Sequence, residues 1–479
     1  MIPLQPMGNR KNIVLKEIRI DRMAAEGKCI AHHEDMVIFV KDVAPGDVVD
    51  LKVTKKKKSF MEAKPIHFHQ LSSIRTEPFC SHFGICGGCK WQHIPYELQL
   101  QYKQQQVVDN FERIGKAPIG EMLPIIPSEE TTYYRNKLEY TFSTHRWLTR
   151  EEIGSGADFD RRALGFHIPQ SFEKIIPIVH CYLQPDPSNA IRLALDEFAR
   201  THDIPFYDPV NHVGMLRNLI IRTSNTQEVM VIVQFGGEAA NHPEKVRQVM
   251  QFLQESFPEI TSLQYIINPK KNDTYFDLPV ELYHGIPHIT EKMEDLMFRI
   301  SPKAFYQTNA QQAYQLYKLA RSFANLQGDE VVYDLYTGTG TIANFIARQA
   351  RQVVGIEYVE DAIEDAKVNA KINDITNSLF YAGDIKEVLN EQFLATHERP
   401  DVVITDPPRN GMHPDVVQKL LELQASRIVY VSCNPATQAR DVAMLGQKYD
   451  VIKLQPVDMF PHTHHVENVA LLSLRDVIP

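Results

Sequence analysis

From about residue 300 the chain alternates short apolar runs with amphipathic stretches of helical period: EVVYDLY, IANFIARQ, QVVGIEY, DAIEDAKVNAKIN, DVVITD, PDVVQKLLELQ and RIVYVS. Near-continuous apolar strands need cover on both faces, and helices between them supply it, so this order predicts a doubly wound, largely parallel sheet. The closing runs, VIKLQPVDMF and ENVALLSLRD, have no helix between them and are expected to pair antiparallel at an edge.

The rest of the chain differs from this pattern. Residues 13–68 contain about five short alternating runs separated by turn signals such as Glu26-Gly27 and Pro45-Gly46, which fit a small β-barrel. Residues 71–185 hold a cysteine group and a polar helix, YELQLQYKQQQVVDNFERIG, whose apolar face would be Leu98, Val107, Val108 and Phe111. Residues 186–295 mix helical and strand-like runs without a catalytic motif. The expected division is a barrel over 1–70, a central α+β domain over 71–295 and the α/β domain over 296–479.

At 479 residues and 43% hydrophobic content, two or three domains are expected. Neither the opening segment MIPLQPMGNRKNIVLKEIRI nor any later run has the apolar length of a signal peptide or membrane span, so a cytoplasmic protein without membrane partners is expected. The formal charge of −9 argues against a uniformly basic nucleic-acid binder, yet residues 1–70 carry 13 Lys/Arg against 9 Asp/Glu. Within that segment Lys55, Lys56, Lys57 and Lys58 run together beside Phe60. This cation-plus-aromatic pairing suits single-stranded nucleic acid as well as it suits a solvated hairpin tip.

The first βα turn reads Asp334-Leu-Tyr336-Thr-Gly338-Thr-Gly340-Thr341-Ile-Ala, and the second strand ends at Glu357, 17 residues after Gly340. Glycines allow a tight turn and close ligand approach, and the acid can take ribose hydroxyls, so a nucleotide-like cofactor is expected. A dinucleotide-dependent dehydrogenase would show the same turn. The fourth strand discriminates, because it ends in Asp406-Pro407-Pro408-Arg409, and Asp-Pro-Pro at that place is typical of methyltransferases acting on nucleobases. Amino-group methylases carry an aromatic residue where Arg409 stands.

Strand RIVYVS delivers Ser432-Cys433-Asn434-Pro435 to the same sheet edge, and Glu467 directly precedes the last apolar strand. Carbon 5 of uracil is a poor nucleophile. Addition of a thiolate at carbon 6 activates it, and a base must later remove the carbon 5 proton; Cys433 and Glu467 would supply that pair, the alternative for Cys433 being a buried structural cysteine. The nearby histidines lack the spacing of a helical zinc motif.

Cys80, Cys86 and Cys89 form a C-x5-C-x2-C group around Gly84, Gly87 and Gly88, with Cys181 available as a fourth thiolate. Four thiolates suit zinc or an iron–sulfur cluster, and spacing alone does not choose. Cys29 reads as an ordinary, semi-buried residue.

Together, the barrel, the cysteine group, Asp-Pro-Pro-Arg, Ser-Cys-Asn-Pro and His-x-x-Glu-Asn resemble the RNA 5-methyluridine methyltransferases of the RumA/TrmA group over nearly the full length. The resemblance is nearest to the TRAM-containing iron–sulfur enzymes of RumA type that act on 23S ribosomal RNA. It implies a class I, Rossmann-like S-adenosylmethionine methyltransferase domain, an N-terminal OB-like TRAM barrel and a central domain with a [4Fe–4S] cluster on Cys80, Cys86, Cys89 and Cys181. It implies Cys433 as nucleophile, Glu467 as general base and Asp406 as a residue touching cofactor and reaction centre. Gln307, Tyr336, Glu357 and Asp384 are implied cofactor contacts beside Gly338 and Gly340. Thr341 departs from some relatives, where an amide occupies that turn position. Tyr133-Tyr134-Arg135-Asn136-Lys137 resembles a segment facing RNA, with Arg135 as the contact. The substrate implied is 23S ribosomal RNA, with transfer RNA as the alternative, and the enzyme is expected to be a monomer.

Overall fold

The computed structural model describes residues 13–116, 118–169 and 171–475. The first twelve residues of the expected barrel domain, and most of the opening segment read for a signal peptide, lie outside them. The chain divides into two compact units. The first comprises Met1–Gly84, Cys89–Gln106 and His462–His464; the second holds the remainder.

In the first unit, β1 (Val14–Met23), β2 (Cys29–His33), β3 (Met36–Val40), β4 (Val48–Lys56) and β5 (Phe60–Gln70) close a barrel in the order β1-β2-β3-β5-β4. Alternate residues, among them Ile20, Ala31, Ile38, Val40, Val49 and Leu51, fill its interior, as the period-two pattern requires. Cys29 is more enclosed than expected: it is fully buried, with its thiol directed at the Val43 carbonyl. The polar run forms a helix over Tyr96–Asn110. Its buried residues are Gln99, Lys103 and Val107, and Phe111 is buried just past its end, whereas Leu98 and Val108 are only partly covered. Gln99 tolerates burial because its amide donates to the Trp91 and Ile94 carbonyls and accepts from the His462 N–H.

The second unit contains two large sheets. After β6 (Ile119–Met122), one sheet is built from β7 (Lys137–Ser143), β8 (Ala163–His167), β9 (Ile175–Pro177), β10 (Leu216–Thr223), β11 (Val229–Gly236), β12 (Ile260–Asn268) and β13 (Glu281–Gly285), ordered β13-β12-β11-β10-β7-β8-β9. A hairpin of β14 (Ile289–Met293) and β15 (Leu296–Ile300) follows.

The other sheet uses β16 (Val331–Leu335), β17 (Gln352–Glu357), β18 (Ser378–Ala382), β19 (Val402–Thr405), β20 (Arg427–Ser432), β21 (Tyr449–Val457) and β22 (Glu467–Leu474). Its order is β18-β17-β16-β19-β20-β22-β21-β6, parallel from β18 to β20. Helices Ala310–Ala324, Thr341–Ile346 and Glu360–Ile372 contribute to the core on one face; Pro414–Leu423 and Pro435–Leu445 contribute to the core on the other. The last two strands pair antiparallel as expected, but they are not the edge, because β6 adds beside β21 in parallel. Among the described residues no helix is long and apolar enough to cross a membrane.

Candidate active site at the carboxyl ends of the strands

Chain order reverses at β16, whose neighbours are β17 and β19, and such a switch point opens a crevice beyond the strand ends. The turn after β16 lines this crevice. Gly340 has φ of 72°, and a Cβ there would come within 2.8 Å of the Ala366 Cβ, so glycine lets this turn lie against the Glu360–Ile372 helix. Gly338, at φ of 55°, has open space over it. The Glu357 carboxylate accepts the Gly338 N–H at 3.3 Å and the Val359 N–H at 3.0 Å, which fixes the acid beside the turn. Tyr336 is half-buried and held at φ of 62°, a strained conformation for a bulky residue. Thr341 opens the following helix, its hydroxyl 3.3 Å from that of Thr339.

Asp384 caps the short helix Ile385–Val388 by accepting the Lys386 N–H. Gln307 is buried one turn before the Ala310–Ala324 helix, with its carbonyl held by the Asn136 side chain.

The chemical groups lie at the ends of β19, β20 and β22. In the β20–β22 ladder Ser432 faces Asn468, and the same register carried one step outward sets Cys433 opposite Glu467. Behind them the Gln438 amide donates to the Tyr430 and Asn468 carbonyls and accepts from Asn468 Nδ2, so both strand ends are rigid. Asn434 caps the Pro435–Leu445 helix and, with Ser432, makes the tight turn that holds Cys433 at the strand end.

Burial and the Asp406 carboxylate push Glu467 up to about 8. Burial and Asp334 push Asp406 up to about 7. Burial, Glu467 and Asp406 push the Cys433 thiol up to about 11, against the opposing pull of Arg409. Near neutral pH burial therefore favours the protonated forms of Glu467 and Cys433, and the groups feel one another. The buried Tyr317 hydroxyl also feels Asp406, Glu467 and Asp334 at once, which brings all three acids to one place.

The sequence motifs name two further residues of the candidate site without giving them a role. Asp334 is buried, accepts from the Thr337 hydroxyl at 2.6 Å and the Ala343 N–H at 3.1 Å, and is pushed up to about 7 by burial. An acid inside the apolar run VVYDL was the available signal. Arg409 is the other: its carbonyl is held by Asn434 Nδ2 and the Thr437 hydroxyl, its guanidinium lies 3.3 Å from His465 Nδ1, and its charge favours the ionised forms of Cys433 and Glu467. Arg135 lies over the Phe460 ring at 5.3 Å.

In the first unit Lys55, Lys56, Lys57 and Lys58 are exposed where β4 turns into β5. Lys55 stands 3.7 Å from Glu62, and Phe60 packs edge-on against Phe39. The other cysteines divide between the units, Cys80 and Cys89 in the first and Cys86 and Cys181 in the second. The Gly88 N–H points at Cys86 Sγ at 3.4 Å. Among the described residues no group of three or more His, Cys, Asp or Glu side chains is placed to hold a metal ion.

The profile of the tRNA (Uracil-5-)-methyltransferase family matches residues 287–475, and that of the TRAM domain matches 15–66. An uncharacterized RNA methyltransferase of Bacteroides thetaiotaomicron is 59% identical over 454 residues, 95% of this chain and 100% of its own. The chain belongs to the tRNA (uracil-5-)-methyltransferase family of RNA methyltransferases. An uncharacterized RNA methyltransferase of Porphyromonas gingivalis is 54% identical over 463 residues, 95% of this chain and 99% of its own. The crystal structure of Pyrococcus abyssi tRNA (uracil-54, C5)-methyltransferase in complex with S-adenosyl-L-homocysteine matches with a TM-score of 0.72 at 27% identity, covering 95% of this chain and 100% of that one. This RNA methyltransferase thus shares its methyltransferase fold and its TRAM barrel with known proteins.

Proposed function

We propose that the enzyme transfers a methyl group from S-adenosylmethionine to carbon 5 of a uridine in RNA through a covalent bond between Cys433 and carbon 6. The observation that carries this reading is the opposition of Cys433 and Glu467 across the β20–β22 register, beside Asp406. The Cys433 thiol gives up its proton to solvent, its thiolate Sγ adds to carbon 6, and the electron pair displaced toward carbon 5 takes the methyl group, releasing S-adenosylhomocysteine. Glu467 removes the carbon 5 proton, and β-elimination restores the double bond and frees the thiolate. The positive sulfonium of the methyl donor favours the ionised forms of Asp406, Glu467 and Cys433, which offsets the burial that favours their protonated forms. Attack at carbon 6 comes from above the ring plane, so the uridine must leave its stack.

For the methyl donor, the Gly338–Gly340 turn and Thr341 would accept close approach, Glu357 the ribose, Asp384 the adenine, and Gln307, Tyr336 and Asp406 the remaining polar groups. Arg135 and the Lys55–Lys58 run would contact RNA. Cys80, Cys86, Cys89 and Cys181 would hold a [4Fe–4S] cluster with a structural role; four thiols and the resemblance support this, and methyl transfer is redox-neutral without it. The enzyme would act in the cytoplasm as a monomer.

The substrate proposed is 23S ribosomal RNA, on the resemblance to barrel-containing RumA-type enzymes. One observation favours transfer RNA: the P. abyssi transfer RNA enzyme matches this chain over 95% of its length, so this architecture is compatible with that substrate too. Mass-spectrometric mapping of 5-methyluridine in cells with and without the gene tests both. Loss of a ribosomal RNA mark is expected. Loss confined to transfer RNA would move the target, and no loss would overturn the function.

A further inference from the structure

The segment Gln307–Gln312 leads into the Ala310–Ala324 helix and is pinned on two sides. On one side, Asn309 Nδ2 donates to the Met459 carbonyl at 3.0 Å and Gln312 Nε2 donates to the Asp458 carbonyl at 2.9 Å. On the other stands Asn136, immediately before β7. Its N–H donates to the Thr308 carbonyl at 2.7 Å, a bond any residue but proline would make. Its side chain does something particular: Nδ2 points both at the Gln307 carbonyl at 3.1 Å and at Glu291 Oε1 at 3.3 Å.

Glu291 projects from β14 and is 1% exposed. Its second oxygen accepts the Asn225 N–H at 3.1 Å, and burial pushes its carboxyl up to about 7. A carboxyl in such a place is costly, and hydrogen bonds to it are what make it tolerable. An apolar side chain would fill the same volume without that cost, so what the acid adds is an acceptor that orients the Asn136 amide. Residues from three distant parts of the chain thus meet at the carbonyl of Gln307.

We infer that Asn136, oriented by the buried Glu291, is a positioning residue that sets the Gln307 segment for S-adenosylmethionine. This rests on the cofactor reading given above. Neither residue reaches the reacting atoms; each acts through Gln307. Loss of the Asn136 amide frees the Gln307 carbonyl to move, which weakens cofactor binding while Cys433, Glu467 and Asp406 stay in place.

The test titrates S-adenosylhomocysteine into the full-length protein and its variants by calorimetry. Asn136→Ser and Asn136→Asp, the second of equal size but without the donor, should each weaken binding about tenfold, raise KM for S-adenosylmethionine in parallel and leave kcat at saturation within about threefold. Glu291→Gln keeps an acceptor oxygen and should stay within about threefold of wild type; Glu291→Leu should behave like the Asn136 variants. In a Gln307→Ala background either Asn136 substitution should add less than twofold. Wild-type affinity in both Asn136 variants, or a full extra tenfold on top of Gln307→Ala, would overturn the assignment. Failure of the wild-type protein to bind S-adenosylhomocysteine would instead overturn the cofactor reading, and the assignment with it.

Discussion

Replacing Glu467 by glutamine removes a buried acid while keeping its shape, so the pH dependence of stability isolates what that acid costs the fold. In the unfolded chain the carboxyl ionises near 4.5, whereas in the folded site burial and Asp406 hold its proton up to about 8. Between those values the folded state binds a proton that the unfolded state has released, so the unfolding free energy falls as pH rises. The contribution is fully present below about 4.5 and is lost by about 8. At about 1.4 kcal/mol per pH unit, the loss reaches roughly 3–5 kcal/mol over that window. Glutamine has no such window. Melting of both proteins by calorimetry from pH 5 to 9, without ligand, should give nearly matched midpoints at pH 5 and a rising advantage for Glu467→Gln toward pH 8, by several degrees for a change of this size. A fixed offset from the amide leaves this slope intact. Parallel pH profiles for the two proteins would refute the reasoning.

The Cys433 thiol is held up to about 11 by burial and the Glu467 and Asp406 charges, so alkylation by iodoacetamide should be slow at pH 7.5. A cationic sulfonium in the cofactor site should shift its pH midpoint down, whereas neutral S-adenosylhomocysteine should not; equal midpoints with both ligands would contradict the electrostatic account. Changing Lys55, Lys56, Lys57 and Lys58 together to glutamine should weaken RNA binding and flatten its salt dependence by about 0.7 in the log–log slope for each phosphate that is no longer neutralised, read from filter binding at several salt concentrations. Anaerobically purified protein should contain iron and sulfide and lose both in Cys86→Ser; zinc in their place would reject the cluster.

The α/β sheet was legible because parallel strands buried on both faces leave near-continuous apolar runs, as in VVYDL and RIVYVS, and because helices separate β16 to β20 along the chain, so that each run announces itself. The candidate site could be proposed from the sequence for a related reason: Asp406, Cys433 and Glu467 each sit at the junction of an apolar run with polar residues, at the end of a strand. What could not be read depends on partners far away in sequence. The four residues of β6 carry too little pattern to announce a strand, and their place is set by hydrogen bonds to Val451–Leu454. Gln99 and Lys103 are polar, and polarity alone places them on the solvent side of their helix, yet both are fully buried; for Gln99, carbonyls from Trp91 and Ile94 and the main chain of His462 satisfy the amide. Asn136 and Glu291 stand 155 positions apart, and no local signal joins them.

The most direct test of the central claim incubates the enzyme and S-adenosylmethionine with RNA whose target uridine carries fluorine at carbon 5, where Glu467 has no proton to remove. The account predicts a protein–RNA complex stable to denaturing gels, with the methylated nucleotide mapped by mass spectrometry to Cys433 and absent from Cys433→Ala. A complex that still forms in Cys433→Ala, or methylation of ordinary RNA by that variant, would contradict it.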